Sequence, residues 1–94
     1  MENRKKDKYD VALGRILKEY RIQNGLTLQN VADKMGMSRQ MIFHYESGRS
    51  PMTVTQVIKI CGIYEIDYAT ILKQAQIEMA KLWFAKTKSV ALGM

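Results

Sequence analysis

The tightest constraint in this sequence is a break of three residues, Gly36-Met37-Ser38, between two short segments that both carry helical periodicity. On its N-terminal side Leu28, Val31, Ala32 and Met35 follow the i, i+3, i+4, i+7 spacing of one helix face. Glycine at the break can take the left-handed conformation that stops a helix. The serine after it can cap the next helix by accepting a bond from a free backbone N–H. Arg39 to Ser47 then form that second helix, which Gly48 closes. So short a connection, with glycine first, forces the two helices to pack at a sharp angle.

The same grammar runs through the rest of the chain. Leu13, Ile16, Leu17 and Tyr20 share one helix face, and Asn24-Gly25 stops that helix. Thr27 is placed to cap the segment from Leu28. Val54, Val57, Ile58 and Cys61 repeat the spacing, with Thr53 as cap and Gln56 completing a capping box. Pro51 falls between periodic segments, where it breaks nothing. Asp67 is positioned to cap a fifth helix running to about Lys86. No stretch alternates long enough for a strand. The expectation is an all-α chain: a compact five-helix domain built around a helix-turn-helix unit.

In such a unit the second helix enters the DNA major groove with its N-terminal residues toward the base edges. Placing residues about 100° apart puts Arg39, Gln40, Phe43, His44 and Ser47 on one face. Met41, Ile42, Tyr45 and Glu46 fall on the other, which is mostly apolar and should pack inward. The first face carries the side chains that read bases: arginine pairs with guanine O6 and N7, glutamine with adenine N6 and N7. Phe43 at its centre is costly in water unless it meets something apolar, and thymine methyl groups would serve. The predicted base readers are therefore Arg39, Gln40, Phe43 and His44. Around them Thr27, Gln29, Ser38, Ser47, Arg49, Ser50 and Thr53 sit at helix starts or in the loop after the reader helix, where phosphate contacts are made. Each hydroxyl can also serve as a cap, and the two roles can coexist.

Composition narrows the function classes. A net charge of +6 and a pI near 9.6 suit a polyanionic partner, with the excess greatest in the first quarter of the chain. Basic residues scattered over several short helices disfavour a membrane surface. The apolar runs are too short to cross a bilayer, and Met1 to Asp10 is polar, so a cytoplasmic protein is expected. One histidine and one cysteine on different helices, with no glycine-rich phosphate loop and no metal-ligand cluster, argue against an enzyme, a metal site or a cofactor. Cys61, flanked by Ile60, Gly62 and Ile63, reads as a small buried hydrophobe.

From about Leu13 to Ile71 the chain resembles the Cro/CI-type helix-turn-helix family of phage repressors and bacterial regulators. Arg21-Ile22-Gln23-Asn24-Gly25-Leu26 looks like the end of that family's first helix. Val31-Ala32-Asp33-Lys34-Met35-Gly36-Met37-Ser38 looks like its second helix and turn, and Tyr45-Glu46-Ser47-Gly48-Arg49 like the close of its recognition helix. The resemblance implies a five-helix domain that binds operator DNA as a dimer. It implies base contacts at Arg39, Gln40 and His44, and phosphate contacts at Thr27, Ser38, Ser47 and Arg49. It also implies a pair between Arg21 and Glu46 that locks the first helix to the reader. Two positions depart from the pattern: Leu28 stands where many members carry glutamine, with Gln29 beside it, and Phe43 replaces a smaller or polar residue.

The domain expectation is a basic arm over residues 1–8, a core over 9–66, and a C-terminal helix with a short tail over 67–94. In that last segment Tyr68, Leu72, Ala75, Met79 and Leu82 follow the four- and three-residue steps of a coiled-coil seam, with Trp83 beside it. Leu72, Ala75, Met79, Leu82 and Trp83 are therefore expected at an interface. Two occupants suit it. In a homodimer, paired readers would meet half-sites about 34 Å apart on double-stranded DNA. In an antitoxin-like module, the same helix would hold a protein partner such as a toxin or antagonist, and DNA binding would serve autoregulation.

Overall fold

The computed structural model describes residues 7–92, with side chains described as far as Lys81. Five helices follow one another: α1 (Lys8–Gln23), α2 (Leu28–Met35), α3 (Arg39–Glu46), α4 (Val54–Ile63) and α5 (Tyr68–Leu92). No strand occurs among the described residues. The all-α expectation is met. α1 starts one residue earlier than the arm boundary at residue 8 implied, because Asp7 accepts from Tyr9 N at 2.7 Å and caps it. The rest of the expected arm, residues 1–6, lies outside the described residues.

The helix boundaries follow the local chemistry. Thr27, Ser38 and Thr53 cap α2, α3 and α4 through their hydroxyl oxygens. Asp67 accepts from Thr70 N at 3.1 Å at the start of α5. Three helices end on a glycine in the left-handed region: Gly25 (φ 67°), Gly36 (φ 69°) and Gly48 (φ 77°). At each, the next residue's N–H reaches back over the last turn: Leu26 to Arg21 O, Met37 to Ala32 O, Arg49 to His44 O. α4 ends by the same device, Ile66 N donating to Cys61 O, but with Glu65 in the left-handed position at φ 55°.

One core cluster ties all five helices together, with Leu17, Val31, Ile42, Ile60 and Ile71 near its centre. Each such side chain stabilises the fold by roughly 1.5–3 kcal/mol relative to exposure. Cys61 is buried among them, as its neighbours suggested. α3 packs on α1 and α2, α4 on α2 and α5, and α5 chiefly on α1.

Two expectations are corrected here. The apolar face of α4 is Val57, Ile60, Cys61 and Tyr64, while Val54 and Ile58 remain 61% and 49% exposed. Both sets satisfy the same helical spacing and share Val57 and Cys61, so periodicity alone could not choose between them. Ala75 has no exposed surface in the single chain and belongs to the core, not to an interface. The reason is that α5 lies along α1: Tyr20 Oη donates to Gln74 Oε1 at 3.0 Å, Arg15 pairs with Glu78, and Ile71 and Ala75 seal the contact. The core thus includes Ile71 and Ala75 of α5. Leu72 and Met79 are half-buried, and Leu82 and Trp83 lie outside the residues whose side chains are described.

Candidate nucleic-acid interface

α3 is fixed from behind and bare in front. Ile42 and Tyr45 insert into the core, and Met41 packs against it. Glu46, with only 4% of its side chain exposed, accepts two bonds from Arg21, one from Nε at 2.7 Å and one from a terminal nitrogen at 3.2 Å. The same guanidinium donates to Leu26 O at 2.9 Å, so Arg21 joins α1, α3 and the loop before α2. The expected Arg21–Glu46 lock is present and bidentate. Such a fork is the geometry that arginine satisfies and lysine does not.

A second fixing point is one that the periodicity did not flag. Gly14 sits in the middle of α1 directly over the last turn of α3. A methyl group there would stand 2.6 Å from Glu46 O and 2.8 Å from its carbonyl carbon, and nearer still to Tyr45 O. The two backbones therefore meet with no side chain between them. A lone glycine inside a strongly helical stretch was the available signal.

On the outward face Arg39 and Gln40 are exposed, Phe43 is 50% exposed, and His44 is half-buried with its ring tilted against that of Phe43 at a centroid separation of 6.2 Å. The four expected base readers thus share one accessible surface at the start and middle of α3. Leu28, the first residue of α2, joins them: Leu28, Arg39, Gln40 and Phe43 line a single cleft. Gln29 points elsewhere, donating to Asp33 Oδ1 at 2.8 Å along its own helix.

The polar residues expected at phosphates lie at helix ends and in the loop after α3. Thr27 Oγ1 accepts from Asn30 N at 3.0 Å while Asn30 Oδ1 accepts from Thr27 N at 2.9 Å, a reciprocal box closing the start of α2. Ser38 Oγ accepts from Met41 N at 3.1 Å, and Thr53 makes the reciprocal box with Gln56. Ser47 donates to His44 O at 3.1 Å, inside the last turn of α3. Arg49 is exposed and Ser50 half-buried in the loop after α3. Helix starts carry free N–H groups and partial positive charge, so the positions of Thr27, Ser38 and Thr53 suit anions. Among the described residues, no cluster of three or more histidine, cysteine or acidic side chains could hold a metal, and no helix is long and apolar enough to cross a membrane.

A family model described as helix-turn-helix matches residues 17–71, more than half of the chain. The chain belongs to the XRE-type helix-turn-helix family. It is accordingly a DNA-binding transcriptional regulator, the class this family comprises. Solved structures agree on the fold. The clp gene regulator ClgR from Corynebacterium glutamicum superposes with a TM-score of 0.82 at 23% identity, covering 94% of each chain. A second structure of ClgR gives 0.71 at 25% identity, over 76% of this chain and 92% of that one. The restriction-modification controller protein C.AhdI from Aeromonas hydrophila gives 0.61 at 23% identity, over 65% of this chain and 92% of its own. No curated protein sequence matches the chain.

Proposed function

We propose that this chain is a repressor that binds a two-fold symmetric operator as a homodimer, with α3 reading bases in the major groove. The observation that carries this reading is the division of α3 itself. One face is locked to the core and to Arg21, and the other presents Arg39, Gln40, Phe43 and His44 together on the surface. Arginine and glutamine at the start of a rigidly held helix supply the paired donors and acceptors that distinguish guanine and adenine. Phosphate contacts that set the register of the helix in the groove are assigned to Thr27, Ser38, Ser47, Arg49, Ser50 and Thr53, and Gln29 would join them on releasing Asp33.

Gene control also fits the company of this fold, since two similar structures are described as a clp gene regulator and a restriction-modification controller protein. Dimerisation is assigned to the outer part of α5, where half-buried Leu72 and Met79 continue towards Leu82 and Trp83. The basic segment over residues 1–8 would add backbone contacts as an arm, and the protein would act in the cytoplasm, where its operator lies.

Selection from a randomised duplex pool, followed by sedimentation of the selected complex, tests this reading. Enrichment of a palindrome carrying two chains per duplex is the expected result. A free chain that stays monomeric, with no enriched sequence, would transfer the role of α5 to a protein partner such as a toxin or antagonist.

A further inference from the structure

The outward face of α3 contains an apolar element that hydrogen-bond reading leaves unused. Phe43 at the centre of that face and Leu28 at the first position of α2 converge on one cleft, with Arg39 and Gln40 as its other walls. The cleft measures about 340 Å³, enough to admit the edge of a base. Phe43 takes no part in the core cluster, and Leu28 only touches its margin. The two residues that depart from the family pattern are therefore neighbours in space, brought together by the Gly36 turn although fifteen positions separate them. A ligand that fills this cleft must offer a small apolar group on a planar edge, next to acceptors for Arg39 and donors or acceptors for Gln40.

In the major groove only one group fits that description: the methyl on C5 of a pyrimidine, which lies on the base edge beside the hydrogen-bonding atoms of its neighbours. We infer that Leu28 and Phe43 form a receptor for a pyrimidine 5-methyl group, so that the chain selects thymine or 5-methylcytosine at one position of each half-site. This rests on the operator reading proposed above. Glutamine at position 28 would offer an amide to the base or phosphate. Leucine offers only apolar surface, and it does so against an exposed aromatic ring. Burying one methyl-sized group corresponds to roughly fourfold in affinity per half-site, or about fifteenfold for two symmetric half-sites.

The test uses the full chain and its selected operator, with deoxyuridine replacing thymine one position at a time, and 5-methylcytosine replacing cytosine in a parallel series. Deoxyuridine removes the methyl and nothing else. The expected result is a loss of about fourfold or more at one position per half-site, silent elsewhere. At that position the thymine is also replaced by cytosine and by 5-methylcytosine: tighter binding of 5-methylcytosine than of cytosine identifies it as a second source, and equal binding of the two identifies thymine alone. The variants Leu28→Gln and Phe43→Ser, checked for native helicity, should bind the uridine and thymine operators equally, at an overall affinity that falls with the lost apolar surface. An operator with no methyl-sensitive position overturns the inference and leaves the operator reading standing. Methyl sensitivity retained in both variants also overturns it, by placing the receptor elsewhere. If no operator is enriched at all, the operator reading falls, and this inference with it.

Discussion

Two glycine-to-alanine substitutions should move stability in opposite directions although they share one helix-propensity term. Alanine is favoured over glycine inside a helix by about 1 kcal/mol. At Gly62, in α4, a methyl group meets nothing within 4 Å, so Gly62→Ala should collect most of that gain, raising the melting temperature by a few degrees. At Gly14 the added carbon stands 2.6 Å from Glu46 O and 2.8 Å from Glu46 C, both backbone atoms that cannot swing aside. Normal separations are roughly 3.5 Å or more, so α1 and α3 must part by about 1 Å. Overpacking of this kind costs about 1–3 kcal/mol, and rigid backbone puts it at the upper end, near 3. Net of propensity, Gly14→Ala should destabilise by about 2 kcal/mol, lowering the melting temperature by on the order of 10 °C. Urea and thermal denaturation followed by far-UV circular dichroism read both variants directly. If Gly14→Ala proves as stable as Gly62→Ala, the backbone contact between α1 and α3 does not hold the reader helix, and the account of its rigidity is wrong.

Other expectations follow from the same packing. Arg21→Ala leaves the Glu46 carboxylate buried without its partner and should cost about 3–5 kcal/mol in urea denaturation, with Arg21→Lys recovering only part of it; a loss under about 1 kcal/mol would remove the lock from the account. Glu65→Gly relieves a side chain held at φ 55° and should stabilise by about 1 kcal/mol, whereas a destabilised variant would show that Glu65 makes compensating contacts. Burial, with a smaller push from Asp67, raises the Cys61 thiol from an ordinary value of 9.0 to about 11. Because the folded value lies above the unfolded one, Cys61 contributes its stability fully below about pH 9 and loses it as pH rises towards 11. Iodoacetamide should therefore label it only on unfolding at neutral pH, and Cys61→Ala should flatten part of the alkaline decline; rapid labelling of the native protein would contradict its burial.

Much of this fold was legible because the sequence punctuates itself. Caps at Thr27, Ser38, Thr53 and Asp67 and glycine stops at Gly25, Gly36 and Gly48 mark their helices by local chemistry, which a sequence displays without reference to the rest of the chain. The division of α3 was legible too, since its polar and apolar faces differ sharply. What was not legible depends on contacts between segments. The two apolar registers of α4 are equally periodic, and only its packing selects Val57, Ile60, Cys61 and Tyr64. Ala75 fits a coiled-coil seam by spacing, but its small side chain is consumed where α5 meets α1. Glu65 gives no composition signal for a left-handed stop, because glycine is the residue that normally announces one. Leu28 read as a loss at a contact position, and its pairing with Phe43 emerges only when the turn is folded.

Whether the exposed face of α3 reads sequence is decided by a ratio of affinities. Fluorescence anisotropy would compare the selected operator with a scrambled duplex of equal length, at fixed salt, for the native chain and for Arg39→Ala/Gln40→Ala. Specific binding of this class exceeds non-specific binding by about a thousandfold or more, and each lost base contact removes roughly 1–3 kcal/mol. The double variant should lose most of that ratio while its salt-dependent binding to scrambled DNA persists. A ratio unchanged by the two substitutions would contradict this, and would place sequence recognition outside α3.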